Sequence, residues 1–405
     1  MKNNILNFYN YLESDKKKVS NTKKLSKNFN IIFNKLKEDI KDEKKTLNVL
    51  NKNYSFNFKV SELKEYKKYK KIALIGMGGS ILGAEALYGF LENRIKKKVY
   101  FFNDIDEIKL FKFKKKENLN KVLFIIISKS GDTLETLSNT FSLNIVKKNA
   151  KNLIIISEKK NNFLYKMSKN LNLFYIEHKN HIGGRYSVLS EVGIIPAYLM
   201  GINILKLRSK LLSFLKGKSK IFLRNSSIKM ANYLNSKKYN NLIFLNYSPE
   251  LEKFLFWCQQ LIAESLGKKN KGFFPVISNV PKDHHSLLQL YLDGPKDKIF
   301  YIFYRNLNSK IKINLNNSLV KKNFLNKKSL NHVKSAQKNA LIKSLKKNKI
   351  PFRKIEIKES NEEVFGMLVS YFIIETIIIG NLCKINPFNQ PAVEEVKIFT
   401  KKLLS

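Results

Sequence analysis

The sequence predicts an α/β protein made of two tandem domains, each a doubly wound, mostly parallel sheet flanked by helices. Three observations lead there. Short runs rich in Ile, Val, Leu and Phe alternate with helix-length amphipathic stretches from residue 72 onward. The runs are apolar throughout rather than at alternate positions, as strands covered on both faces require. The same style then recurs in the second half of the chain, and 405 residues are enough to bury more than one core.

Taken in order, residues 1–45 are expected to form an N-terminal helical segment. The first domain, 46–212, carries the strand candidates IALIG (72–76), VYFFN (99–103), VLFIIIS (122–128), LIIIS (153–157) and LFYIE (173–177). The second, 213–405, carries IFLR (221–224), NLIFLN (241–246), KIFYIFY (298–304) and RKIEI (353–357), with helices over 249–267 and 361–380. The boundary falls near 205 to 220. Residues 305–335, rich in Asn, Lys and Leu without periodicity, read as loop with helix undecided. The apolar run from Val364 to Gly380 carries Glu375 and is barely of membrane-spanning length, so a buried core helix is expected rather than a membrane span.

Lys+Arg exceeds Asp+Glu by 76 − 32 = +44, which raises the question of a polyanionic partner. Only six of the 76 are Arg, and the lysines are spread along the whole chain. Nucleic-acid readers rely on the planar fork of Arg and concentrate charge on one element, so most of this lysine is read as solvated surface and no specific nucleic acid is expected. Cys258 and Cys383 have no CxxC or His at metal-ligand spacing. A reduced, cytoplasmic chain follows, and the N-terminus shows no signal-peptide pattern.

Ligands of open parallel sheets bind at the carboxyl ends of the strands. After IALIG comes Met77-Gly78-Gly79-Ser80, a turn opening a helix where bare backbone N–H groups can hold an anion. A tight turn without ligand, or a dinucleotide site with Asp104, are the other readings; Ile81, at the place of the third glycine, argues against the dinucleotide. After VLFIIIS, residues Ser128, Lys129, Ser130, Thr133 and Thr136 crowd five hydroxyl or ammonium groups into nine positions, suited to one phosphate. A helix cap accounts for one hydroxyl only.

Gly183-Gly184-Arg185-Tyr186-Ser187 places one of the six arginines behind two glycines, as a site cation or a structural ion-pair partner. Gln260 and Glu264 share a helix face at i, i+4, lining a cavity or a solvated helix end. Asp283-His284-His285-Ser286 opens a helix; neighbouring His residues there point apart, so proton transfer suits them better than a shared metal. Gln390 and Lys397 lie seven apart in a turn feeding the C-terminal helix.

In this order the segments resemble the glucose-6-phosphate isomerase (phosphoglucose isomerase) family, over about residues 72–400. GGRYSVLSEVG (183–193) is similar to the family's first signature and NPFNQPAVEEVK (386–397) to its second, with SKSGDTLET, ESLGK and DHHS in support. Asp132 stands where the family usually has Thr, His284 replaces the common Gln of DQHS, and Glu395-Val396 replace Leu-Gly.

The resemblance implies two tandem sugar-isomerase domains and the reversible isomerisation of glucose 6-phosphate to fructose 6-phosphate, in glycolysis and gluconeogenesis. The route is ring opening and C2-to-C1 proton transfer through a cis-enediol, without metal or organic cofactor. It implies Glu264 as the catalytic base, Arg185 as the stabilising charge, and His285 with Lys397 at ring opening, His285 reaching the site of a neighbouring subunit in a homodimer. Ser80, Ser128, Lys129, Ser130 and Thr133 match the phosphate-binding set, Gly79 beside them is counted as substrate-binding, and Gln260 and Gln390 match the substrate-contacting glutamines. Activity on mannose 6-phosphate as well, or sugar-phosphate binding without catalysis, are the alternative readings of the same motifs.

Overall fold

A computed structural model describes residues 5–12, 19–306, 311–315 and 324–404. Parts of the loop expected over 305–335 lie outside the described residues.

The first sheet is built from β2 (Lys71–Ile75), β3 (Lys98–Phe102), β4 (Val122–Ile127), β5 (Leu153–Ser157) and β6 (Phe174–Glu177), all parallel, in the order β3-β2-β4-β5-β6. Between them run α2 (Leu82–Leu91), α3 (Glu107–Lys116), α4 (Leu134–Ser142) and α5 (Phe163–Asn170). The chain steps outward from β2 to β3 and then returns to the other side of β2 for β4. The crevice where the winding reverses therefore lies above the carboxyl ends of β2 and β4, where the two polar turns are found.

The second sheet has the order β1-β10-β9-β7-β8, from β7 (Asn241–Asn246), β8 (Phe274–Asn279), β9 (Lys298–Arg305), β10 (Phe352–Ile357) and β1 (Leu6–Tyr11). Four strands are parallel, while β1 pairs antiparallel with β10 at the edge, Leu6 opposite Ile357. The two parallel-sheet halves match the expected fold class.

Three segments depart from the expected elements. Residues 221–224 lie in α8 (Gly217–Ser236), which buries Leu223, Ser227, Met230 and Leu234 at helical spacing; four apolar letters are too few to tell the two periods apart. The segment expected to be purely helical contributes strand β1 before α1 (Val19–Lys41). Strand β8, interrupted by Pro275 and ending in Ser278-Asn279, was not expected; an edge position tolerates both.

Side-chain alternation on the strands sorts the core into layers. Ile72 and Leu74 join a central cluster, whereas Ala73 and Ile75 point to an outer cluster covered by α3, α4 and α5. In the second sheet Phe244 and Tyr301 point inward, and Ile243 and Phe300 outward under α10 (His284–Leu292) and α11 (Leu330–Lys347). Between the inner faces sits a shared helical layer formed by α1, α2, α6 (Glu191–Met200), α8, α9 (Glu252–Leu266) and α12 (Glu362–Leu382). The short α7 (Ile204–Arg208) joins this layer through Leu207. Helix α12 is the one helix among the described residues long and apolar enough to cross a membrane, and 94% of its apolar window is buried in this core. Its Glu375 is paired with Arg353 at 2.8 Å, the two side chains 3% and 0% exposed. The last helix, α13 (Glu394–Leu404), buries no residue.

Candidate active site

Two glycine turns meet first. Gly78 adopts φ +50°, and a Cβ on Gly79 would lie 2.2 Å from the carbonyl carbon of Gly184. Only hydrogen at this position lets the turn after β2 touch the turn that carries Arg185. Ser187 secures the contact by donating from Oγ to the Gly79 carbonyl at 3.1 Å. Gly79 thus sits against protein backbone, while Ser80, one residue on, is part-exposed.

Arg185 is 2% exposed, and its guanidinium organises everything around it. Nε donates to Ser265 Oγ at 2.9 Å, Nη1 to Glu264 Oε2 at 3.0 Å and also to Gln390 Oε1, and Nη2 to the carbonyls of Pro387 (2.5 Å) and Asn389 (3.3 Å). A buried cation demands such a complete set of acceptors. Trp257 Nε1 donates to the Arg185 carbonyl at 3.1 Å, and Tyr186 Oη donates to the Pro387 carbonyl at 2.8 Å, so α9, the turn carrying Arg185 and the loop around Pro387 are tied together.

Glu264 sits on the last turn of α9 with its side chain 28% exposed, one oxygen on Arg185 and the other accepting from Gln260 Nε2 at 3.0 Å. The i, i+4 spacing on α9 aims both polar groups the same way. Gln260 Oε1 is buried and has no hydrogen-bond donor among the described residues, leaving an unused acceptor beside the carboxylate. Beside Glu264 opens a cavity of about 960 Å³, also lined by Lys268, Asn386 and Gln390.

The turn after β4 forms the second polar cluster. Ser128 Oγ lies 2.8 Å from Thr133 Oγ1, Ser130 Oγ 3.3 Å from the same hydroxyl, and the Gly131 N–H donates to Ser128 Oγ at 3.1 Å. Three hydroxyls converge on one point at the opening of α4, a geometry suited to an anion. Lys129 turns sideways, donating to the Asn180 carbonyl at 2.9 Å and pairing with Glu158 at 3.5 Å. Burial holds its ammonium below the ordinary lysine value against the pull of Glu158, and the Arg185 charge acts in the same direction as burial. The Asp132 carboxylate accepts from the Phe163 N–H at 2.8 Å, at the first turn of α5.

Arg185, Glu264, Gln260 and Gln390 are therefore brought together, with Gly79 behind them and the hydroxyl cluster nearby. His285 and Lys397 are not. His285 is exposed on the first turn of α10, while His284 is held through Nε2 by Tyr247 Oη at 3.0 Å. Lys397 pairs with Glu394 at 2.8 Å on α13, both side chains 62% exposed. Sequence reasoning missed the carbonyls of Pro387 and Asn389, which any residue carries, and the clamping contacts of Ser265 and Tyr186.

Fold and site define a class of protein: two parallel α/β sheets around a helical layer, with a hydroxyl-lined anion cradle at a switch point and an arginine-held carboxylate beside it. The family model described as phosphoglucose isomerase matches residues 37–405. A glucose-6-phosphate isomerase of Methanocaldococcus jannaschii is 33% identical, covering 85% of this chain and 87% of its own length. A probable glucose-6-phosphate isomerase of Methanococcus maripaludis is 35% identical, covering 89% and 84%. A crystal structure of a hypothetical protein from Thermus thermophilus superimposes with a TM-score of 0.81 at 23% identity, covering 95% of this chain and 97% of that one. One of a glucose-6-phosphate isomerase from Chlamydia trachomatis gives 0.78 at 17%, covering 98% and 88%. The chain belongs to the phosphoglucose isomerase family.

Proposed function

We propose that this chain is an aldose–ketose isomerase interconverting glucose 6-phosphate and fructose 6-phosphate through a cis-enediol, a step serving glycolysis and gluconeogenesis in the cytoplasm. The observation that carries the reading is the Arg185–Glu264 pair: a part-exposed carboxylate fixed at 3.0 Å to a buried guanidinium, in a chain of this family. Glu264 takes the C2 proton of the opened sugar and returns it to C1. Arg185 offsets the negative charge that develops on the enediolate oxygens, where a preformed cation in a dry site is most effective. Gln260 and Gln390 hold the carboxylate and guanidinium in that orientation and contact the sugar hydroxyls. Ser80, Ser128, Ser130 and Thr133 receive the phosphate by hydroxyl and backbone N–H, and Lys129 lends its charge from the rim.

Ring opening is assigned to His285 and Lys397. Neither stands in the Arg185 cluster of its own chain; a homodimer in which a second copy supplies His285 brings in the first of the two, and Lys397 on α13 has still to move onto the site. The exposure of His285 supports this, as does the apolar surface of α13, where Val396, Ile398, Phe399 and Leu403 are 54% to 87% exposed. A coupled assay with glucose 6-phosphate tests the reading. Wild type turns over, and Glu264→Gln loses about 10³-fold or more in kcat, as removal of a general base requires; equal rates would remove Glu264 from its role.

A further inference from the structure

The segment that closes the site from the C-terminal side, residues 383–390, is stapled by a lysine hairpin that directly follows α9. Lys269 and Asn270 sit at φ +56° and +54°, the left-handed pair of a two-residue hairpin turn. Lys268 and Lys271 exchange backbone hydrogen bonds of 2.9 and 3.1 Å across it. Each of the three lysines then reaches the same segment. Lys271 Nζ donates to the Cys383 carbonyl at 3.5 Å, Lys269 Nζ to the Lys384 carbonyl at 3.3 Å, and Lys268 Nζ to the Asn389 carbonyl at 2.6 Å.

The third contact differs from the others because the Asn389 carbonyl is shared with Arg185 Nη2 at 3.3 Å. Gln390, the next residue, places its amide oxygen on the same guanidinium. Two cations thus converge on one peptide oxygen, and the one on the hairpin has no carboxylate as a direct partner among the described residues. We propose that Lys268 is a positioning residue for the isomerisation: its ammonium anchors the Asn389 carbonyl, which sets Gln390 and Arg185 against Glu264. The proposal rests on the isomerase reading for its effect on rate, and on geometry alone for the tether.

The charged groups facing Lys268 are Arg185 and Glu264, with Lys269 and Lys271 on its own hairpin. Burial first, then the Arg185 charge, bring its ammonium down to about 8, against the pull of Glu264. The tether therefore loses its charge just above neutrality. A neutral amine still donates, but without the charge assistance that makes such bonds short and strong.

The test compares Lys268→Met and Lys268→Arg with wild type between about pH 6.5 and about pH 9.5, where a titrating ammonium would mark the rate profile. Methionine keeps the stem without the charge, and arginine keeps the charge over the whole range. Wild-type kcat is expected to fall above about pH 8, and Lys268→Met to run about tenfold slower with that alkaline fall abolished and KM little changed, the scale of one misplaced catalytic contact. Lys268→Arg is expected to restore most of kcat and to carry it flat to the alkaline end. Amide hydrogen exchange across residues 383–388, whose N–H groups bond within the tethered segment, reads the tether without any turnover: protection should drop in Lys268→Met and return in Lys268→Arg. Unchanged protection in Lys268→Met, or an arginine variant as slow as the methionine one, overturns the proposal. A wild type that protects these amides but leaves glucose 6-phosphate untouched overturns the isomerase reading and leaves the tether standing.

Discussion

Asp132 would set a carboxylate beside a dianionic phosphate if it pointed into the hydroxyl cluster. Instead it accepts from the Phe163 N–H, where the positive end of α5 favours a negative charge. The departure from the family's threonine is thereby absorbed by a neighbouring helix. A second residue near the cradle sets an acid limit on stability. His178 is 1% exposed, with Nδ1 buried and without a hydrogen-bond partner among the described residues, and burial, followed by the Lys129 charge, holds its imidazole down to about 3 against an ordinary 6.5. An unfolded chain binds a proton here from about pH 6.5 downward, while the folded chain refuses it until about pH 3, so the contribution is complete above the first value and erodes as pH falls toward the second. Urea unfolding across about pH 5.5 to 4, where the unfolded imidazole is protonated and the folded one is not, should show His178 removing about 1.4 kcal/mol per pH unit, and His178→Asn should flatten the slope by that amount; an identical slope in the variant refutes it. Arg185, Glu264 and Gln260 were legible from sequence because a rare residue type or a helical spacing marks each, and Gln390 through the resemblance of its segment to the family's second signature. The carbonyls of Pro387 and Asn389 were not, since main-chain acceptors leave no trace in residue type.

Among the elements, the first sheet was readable because strands buried on both faces must be apolar at every position, as in the six buried residues of β4. Helix α8 departs from the expected strand because four apolar letters do not show its helical period, and β1 from the expected helix because its four apolar or aromatic residues are interrupted by Asn7 and Asn10. What holds α12 also could not be read. Its Glu375 meets Arg353 from β10 at 2.8 Å, the Ser226 hydroxyl of α8 contacts both, Tyr371 Oη donates to Glu375 at 2.8 Å, and the guanidinium lies 4.4 Å from the Tyr301 ring centre. Such a pair gains little over an apolar replacement, but breaking it leaves a buried charge alone. Arg353→Met should lower unfolding free energy by about 3 to 5 kcal/mol, and adding Glu375→Leu should recover most of the loss. Urea titration of both variants decides, and a double variant as unstable as the single one sinks the account.

At the scale of the molecule, one helical layer serves as the inner face of both sheets, so neither half owns a complete core. Trp257, fully buried in α9, reports from that layer. Its fluorescence and the far-ultraviolet dichroism of the whole chain should therefore lose their native signals in one coincident transition on urea unfolding. A plateau between the two curves would show halves that unfold separately.

The edge strand β1 extends this dependence into time. Its partner β10 lies far along the chain: Leu6 pairs with Ile357, made 357 − 6 = 351 residues later. At ordinary rates of translation that interval is roughly 20 to 70 s. All five strands of the first sheet, from Lys71 to Glu177, are made within that interval, whereas β1 waits unpaired until Ile357 is in place and only then seals the border of the second sheet.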